Sequence, residues 1–418
     1  MKPMDKTMYW VIGIVFILTS CVKHDSIFRT KEPENTKDLE VPEGFDWSDT
    51  QAVTLSVTSP SATVASFYFD KRCTPDSRIG VLPVPEGKTT FHFDLPYSQK
   101  SIFVQYPVAD GKTRTIESSI NNGVISKSSV AESDDIIFTE PFLSHGFFSL
   151  NIPYTGKYGT IMFEDTWPDT EDYDFNDVVV NYKINCEMDT RETSAHDIQI
   201  TVSLKIRALG GQYPYDFAMQ IGTWTSGAIP FRIPADDVRG LTNVKTANSN
   251  IGVEILKTEH PAVVITGLNS LRRSNFYNTV NKEDEGVQID FTINIKGTLE
   301  QQFQRLSGLA DPKAFDYFLR HENGREIHMM GYAPTSLYQN YESEVGKKGG
   351  RYYYQNSKGL VWGLKVPVEI GWPAERKDII RVYTRFAEWV QSGGKVLGAN
   401  GVDPLKWYEF HTKDNYIY

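Results

Sequence analysis

Between Phe163 and Ile184 the chain reads FEDTWPDTEDYDFNDVVVNYKI. It gathers Glu164, Asp165, Asp169, Glu171, Asp172, Asp174 and Asp177 with no Lys or Arg among them. If Asp172, Asp174 and Asn176 are extended, their side chains share one face at neighbour spacings of about 7 Å. Two carboxylates at that separation repel by about 2.4 kcal/mol at an effective dielectric near 20. Folding Glu164, Asp165 and Asp177 close by raises the repulsion to a noticeable share of a typical stability of about 5–15 kcal/mol. A bound cation removes it. The donors are carboxylate or amide oxygens, and none of these positions is His or Cys. That chemistry suits Ca²⁺, which takes roughly 6–8 oxygen ligands in irregular loops, better than Mg²⁺ with its strict octahedron. Asp172 to Asp177 opens like an EF-hand loop, D-x-D-x-[DN]. However, Asp177 stands where that loop needs Gly, and Lys183 where it needs its last Glu. The segment is therefore not an EF-hand, and a solvated acidic turn is the alternative to an ion site.

Elements around the cluster must hold it in place. Val178-Val179-Val180 follows it directly and reads as a buried strand. Upstream, 52–59, 63–70, 79–85, 89–95 and 101–108 are short runs rich in β-branched and aromatic residues, separated by turn residues such as Pro85-Glu86-Gly87. Downstream, 196–209, 261–268 and 287–297 read as further strands. Helix is scarce. The segment 373–393 starts with Pro373, ends near Gly393, and repeats Ile379, Tyr383, Phe386 and Val390 at helical spacing, with Trp389 beside them. The expected fold is mainly β: an N-terminal Ig-like β-sandwich over 45–134, then a jelly-roll-like β-sandwich over 135–418 with one C-terminal helix. A Ser-, Asn- and Gly-rich stretch, 118–133, connects them.

The N-terminus addresses location. Lys2 and Lys6 precede an apolar core from Met8 to Leu18, and Leu18-Thr19-Ser20-Cys21 closes it. That core is shorter than the ~20 apolar residues a membrane-spanning helix needs, and suits a signal peptide over 1–20. The ending resembles a bacterial lipobox, which makes Cys21 the acylated first residue of the mature protein. An ordinary signal peptide is the alternative. Each buried lipid CH₂ contributes about 0.8 kcal/mol, so acylation at Cys21 anchors the chain to a membrane. Residues 21–44, polar and holding Pro33 and Pro42, read as a tether. Cys73 and Cys186 have no zinc spacing and are expected as free thiols, with a disulfide between them in an oxidising compartment as the alternative. A net charge of -10 without a basic patch argues against nucleic acid.

Several segments resemble one family. FEDTWPDTEDYDFNDVVVNY is similar to the signature of LruC-domain lipoproteins of Gram-negative bacteria, and to an acidic element of many secreted bacterial surface and adhesion proteins. LKIRALGGQYPYDFAMQIG (204–222), GREIHMMGYAPT (324–335) and the closing LVWGLKVPVEIGWPAERKDIIRVYTRFAEWVQSGG (360–394) resemble further parts of it, and VPEGFDWSDTQAVTLSV (41–57) resembles the strand domain that often precedes it. Tyr215-Asp216-Phe217 departs from the family's Asn-Gly-Phe, as do Met329 and Ala333 from its pattern. The resemblance implies an outer-membrane or cell-surface lipoprotein without established enzymatic activity. It also implies a calcium loop over 163–177 with ligands Glu164, Asp165, Asp172, Asp174 and Asp177, and Asn176 beside them. Binding or adhesion to an extracellular protein is the leading functional expectation, and carbohydrate binding or polysaccharide handling is the alternative.

Other constellations carry less. Glu326 and His328 fall on one face of an extended stretch, where Glu326 could orient His328 as a general base. No G-x-S-x-G or H-E-x-x-H motif accompanies them, so packing or an ion pair with Arg325 is the expected role. Acidic pairs leave a glycoside hydrolase as a minor alternative to a non-enzyme. Trp224 and the run Tyr352-Tyr353-Tyr354 could stack on sugars, or pack in the core and along a strand edge.

Overall fold

The strand Ile198–Ala208, IQITVSLKIRA, shows how the sheets form. Its alternation buries Ile198, Ile200, Val202, Leu204 and Ile206 on one face and turns Gln199, Thr201, Ser203 and Lys205 outward. The computed structural model describes residues 33–418 apart from 109–110, 122–123, 128–135, 140, 142–145, 192–195, 223–231, 312, 346–348, 399–400 and 405. The signal peptide, Cys21, Trp224 and the expected domain boundary near 134 lie outside the described residues.

The chain is mainly β, as expected. Its largest sheet runs through Val238–Thr246, Val287–Ile295, Ile198–Ala208, Val178–Asp189, Phe147–Ile152 and Arg78–Val84, and then through Thr63–Tyr68, Ser101–Pro107, Thr113–Asn121, Val124–Lys127, Thr50–Ser59 and Gly87–Pro96. Gly80 and Val81 pair with Leu150 and Ser149, so hydrogen bonding passes unbroken from the N-terminal strands to the later ones. A five-stranded sheet follows the order Gly252–Leu256, Ala262–Thr266, Tyr215–Ile221, Phe315–His321, Glu326–His328. Val202, Leu204 and Ile206 of the first sheet share one core with Phe217, Met219, Ile265 and Leu319 of the second. This is sandwich packing, in which each fully buried aliphatic side chain contributes about 1.5–3 kcal/mol.

A second core is aromatic. Phe45, Trp47, Tyr173, Phe175, Trp372, Tyr383, Phe386, Trp389 and Trp407 pack together with Met162 and Val179. It covers the start of Val178–Asp189 from one side, while Val178, Val180 and Tyr182 belong to the sandwich core on the other. That double cover explains the unbroken valine run, since a strand buried on both faces does not alternate.

The expected C-terminal helix is broken in two. Trp372–Pro373 pairs with Tyr416–Ile417, and helices then run over Ile379–Val382 and Phe386–Gln391. Between them Tyr383 is extended; its hydroxyl donates to Gly371 O (2.7 Å) and its ring meets Trp407 edge-on at 4.8 Å. The Thr384 amide donates to Phe410 O. Tertiary bonds thus override a helical period whose residues Ile379, Tyr383, Phe386, Trp389 and Val390 are all buried as read. Two further helices, Leu299–Gly308 and Tyr341–Val345, were not expected; the first opens on a capping box between Thr298 and Gln301.

Part of the expected tether, 21–44, is held by the body. Thr36 donates from its amide (2.7 Å) and its hydroxyl (2.6 Å) to Asp378, and Leu39 is buried in the aromatic core. Cys73 and Cys186 are free thiols. No helix among the described residues is long and apolar enough to cross a membrane. Truncating Leu204→Ala in the sandwich core should cost about 2–5 kcal/mol in urea unfolding of the purified protein; a loss near zero would show that the two sheets do not share that core.

Candidate metal centre

The acidic loop is shaped by the aromatic residues between its acids. Tyr173 and Phe175 both take a left-handed φ of 52°, at a cost of about 1–2 kcal/mol each. Both rings are buried in the aromatic core, and each burial returns about as much or more. The Ile379 amide donates to Tyr173 O (2.9 Å), tying the loop to the first C-terminal helix. With the two rings turned inward, carboxylate oxygens of Glu164, Asp172 and Asp174 converge to within 4.8 Å of one another. Glu164 and Asp174 are buried, and Asp172 is partly open to solvent.

The six expected ligands therefore divide. Glu164, Asp172 and Asp174 form the group that could hold an ion. Asp165 and Asp177 work as a clamp: the Asp165 amide donates to Asp177 Oδ2 (2.7 Å), and the Tyr213 amide donates to Asp165 Oδ2 (2.9 Å). Asn176 turns away, and its Nδ2 donates to Pro373 O (3.1 Å). The extended-strand expectation placed Asn176 on the face of Asp172 and Asp174; the left-handed turns at 173 and 175 break that alternation. Gly210 and Gly211 close over this side. A Cβ at Gly210 would lie 1.9 Å from Asn176 Oδ1, and one at Gly211 would lie 2.0 Å from Asp165 Oδ2. The Leu-Gly-Gly segment thus needs both glycines for its close approach.

Charge separates the two halves as well. Arg272 lies near Asp165 and Asp177 and lowers the cost of the clamp. The charges acting most strongly on Glu164 and Asp174 are negative. Burial, then the charges of Asp174 and Asp172, pushes the Glu164 carboxyl well above its usual range. Burial and Asp172 do the same to Asp174. Burial raises Asp165 to about 6. Phe175 N–H on Glu164 Oε1 (2.5 Å), and the amides of Asn176 (3.1 Å) and Arg376 (2.7 Å) on Asp174, orient the carboxylates without neutralising them. An all-oxygen set of this kind could hold a metal ion. Glu375 was missed. Its charge also acts on Asp174, but it stands in the PAERK stretch that reads as a helix start, and nothing in its spacing links it to 163–177.

His328 is enclosed. Its Nδ1 meets Asp316 (2.6 Å) and its Nε2 meets Glu326 (2.9 Å), with Phe318 stacked on the ring at 4.2 Å. Burial lowers its pKa, but the Asp316 charge and the two hydrogen bonds outweigh this and bring it to about 9. Glu326 also accepts from the amide and hydroxyl of Thr335. All three side chains are buried, and the two carboxylates on the ring nitrogens hold His328 in place by ion pairing and packing. Arg325 pairs with Glu344 (2.8 Å) instead of Glu326. Tyr352 and Tyr353 are each 40% exposed while Tyr354 is fully buried.

Residues 197–398 match the family model described as a domain of unknown function, DUF4842. That span begins after the acidic loop. A crystal structure of a candidate lipoprotein from Bacteroides ovatus is similar to this chain, with a TM-score of 0.58 and 20% identity, covering 85% of this chain and 99% of that one. At that identity the likeness speaks for the fold. None of the curated proteins matches the sequence.

The raised carboxyls predict a pH dependence. Unfolded carboxyls titrate near about 4, whereas folded Asp165 titrates at about 6 and burial and neighbouring acids hold Glu164 and Asp174 well above the usual carboxylate range. Between those values the folded state binds more protons, so stability falls as pH rises. In chelator, the melting temperature should drop between about pH 5 and about pH 7.5, and saturating calcium should remove the drop. A metal-free protein equally stable at both would contradict this charge arrangement.

Proposed function

We propose that this chain is a lipid-anchored, extracytoplasmic bacterial protein whose acidic loop is ordered by a structural Ca²⁺, and that it serves as a binding or adhesion module. The observation that carries the metal reading is the convergence of Glu164, Asp172 and Asp174 within 4.8 Å, with acids and not cations as the charges acting most strongly on Glu164 and Asp174. The lipobox-like sequence ending in Cys21 supports the anchor, as does the name of the similar Bacteroides ovatus protein. An outer-membrane location, on either face, follows from the same features and the LruC resemblance. A structural role for the ion fits its site: two of the three carboxylates are buried, and Tyr173 and Phe175 beside them are core residues.

The non-enzymatic reading is favoured by the enclosure of His328 and by the crowding of the trio. A glycosidase needs two carboxyl groups about 5–9.5 Å apart across an open cleft. The exposed Tyr352 and Tyr353 favour carbohydrate binding as a second reading, since rigid aromatic faces suit sugar stacking.

Calcium added to the chelated protein should release or absorb heat on titration and raise the melting temperature. A hundredfold excess over Kd corresponds to about 2.7 kcal/mol. Asp174→Asn should abolish both effects, and their absence in the native protein would remove the calcium proposal. Cells given radiolabelled palmitate should label the chain, and Cys21→Ser should lose both the label and the membrane fraction; persistent membrane association without label would refute the lipid anchor.

A further inference from the structure

Three carboxylates fill a calcium shell poorly on their own. Glu164, Asp172 and Asp174 offer two oxygens each, and several already accept amide hydrogens: Glu164 Oε1 from Phe175, Asp174 Oδ1 from Asn176 and Asp174 Oδ2 from Arg376. Ca²⁺ takes roughly 6–8 oxygens. The remainder must come from water or from another part of the chain, and the fold brings one further carboxylate to this place.

That carboxylate is Glu375, just after the short strand Trp372–Pro373. Its backbone is fixed from both sides. Its own amide donates to Thr279 O (2.9 Å), and the next amide, of Arg376, donates to Asp174 Oδ2 (2.7 Å). Glu375 therefore stands one residue from a direct bond to the trio. Its Oε2 is buried and has no hydrogen-bond partner among the described residues. Its Oε1 lies 4.0 Å from the guanidinium of Arg376, whose side chain is 79% exposed, and a pair that open and that long contributes little. The neighbouring Thr279 is fully buried, and its hydroxyl also lacks a partner. A buried acceptor left without a donor costs stability, and here a buried donor is left over beside it. The charge acting most strongly on Glu375 is that of Asp172, and Glu375 acts in turn on Asp174. Resting on the calcium reading above, we propose that Glu375 is a fourth carboxylate ligand, which turns its Oε2 onto the ion beside Asp172 and Asp174. The oxygens that already converge belong to the other three acids, so Glu375 closes by rotating its side chain while its backbone stays held. The Thr279 hydroxyl is placed to steady the carboxylate from behind, as donors behind ligating carboxylates do. Arg272 and Arg376, which both act on Glu375, offset the extra negative charge. The ion then fastens the acidic loop to the segment that carries Asp378 and, through it, Thr36.

The test uses the full chain in detergent, first stripped with chelator and then titrated with calcium and with terbium. Terbium is a luminescent cation that takes oxygen ligands as calcium does, and its lifetimes in H₂O and D₂O count the waters bound to it. Glu375→Gln should weaken calcium about tenfold or more and raise the count of bound waters by about one, since water takes the place of a lost oxygen. Glu375→Asp keeps the charge but draws the carboxylate back by one CH₂. It should likewise weaken calcium and admit water; circular dichroism checks that each variant is folded. Native affinity and native water count in both variants overturn the proposal. Native behaviour in Glu375→Asp with weakened binding in Glu375→Gln would make Glu375 a neighbouring charge and overturn its role as a ligand. Both results leave the calcium reading standing. Failure of the native protein to bind either cation instead removes the calcium reading, and the ligand role with it.

Discussion

The constraint on which this molecule turns is electrostatic. Three carboxylates are brought together beside a strand that is buried on both faces, and the charges that act most strongly on Glu164 and Asp174 are other acids. Like charges in a poorly solvated place either take up protons or share a counter-ion. Two of them have little freedom to swing out into water: Glu164 and Asp174 are buried, and Tyr173 and Phe175 beside Asp174 are fixed in the aromatic core. Asp177 holds the Asp165 amide, and Gly210 and Gly211 pack closely on Asn176 and Asp165. The sandwich core and the aromatic core thus meet at the place where the charge is most crowded.

The chain deals with buried negative charge in two ways. Around His328, two acids are satisfied by a cation from the protein itself, held by hydrogen bonds on both ring nitrogens. That arrangement is self-contained and closed. Around Glu164 no such cation is supplied from the sequence near the loop, and Arg272 serves the neighbouring clamp instead. The contrast separates an acidic cluster paired with the protein's own histidine from one whose carboxylates could hold an ion.

Much of this was legible in the residues. Short alternating strands such as Ile198–Ala208 announce themselves, because a half-buried sheet imposes a period of two. The unbroken Val178-Val179-Val180 announces a strand covered on both sides. The acidic loop was visible as a cluster, and three of its members converge. What could not be read is the division of labour within it. Left-handed turns at two aromatic residues decide where Asn176 points, and no spacing rule anticipates them. The C-terminal helix was misjudged for a similar reason: its buried period is real, but the extended backbone at Tyr383 answers to Gly371 and Trp407, partners remote in sequence or visible only in the fold. Glu375 and the pairing of His328 with Asp316 were hidden for the same cause, since each depends on segments brought together from distant parts of the chain.

The grip of Thr36 on Asp378 has a mechanical meaning. Any tension entering the body along the backbone ahead of residue 35 meets that double hydrogen bond early. Asp378 also caps the helix Ile379–Val382, whose first amide holds Tyr173, and it lies two residues beyond Arg376, whose amide holds Asp174. A pull on the backbone ahead of Thr36 is therefore transmitted to the same short segment that braces the acidic loop, and strain at one is felt at the other.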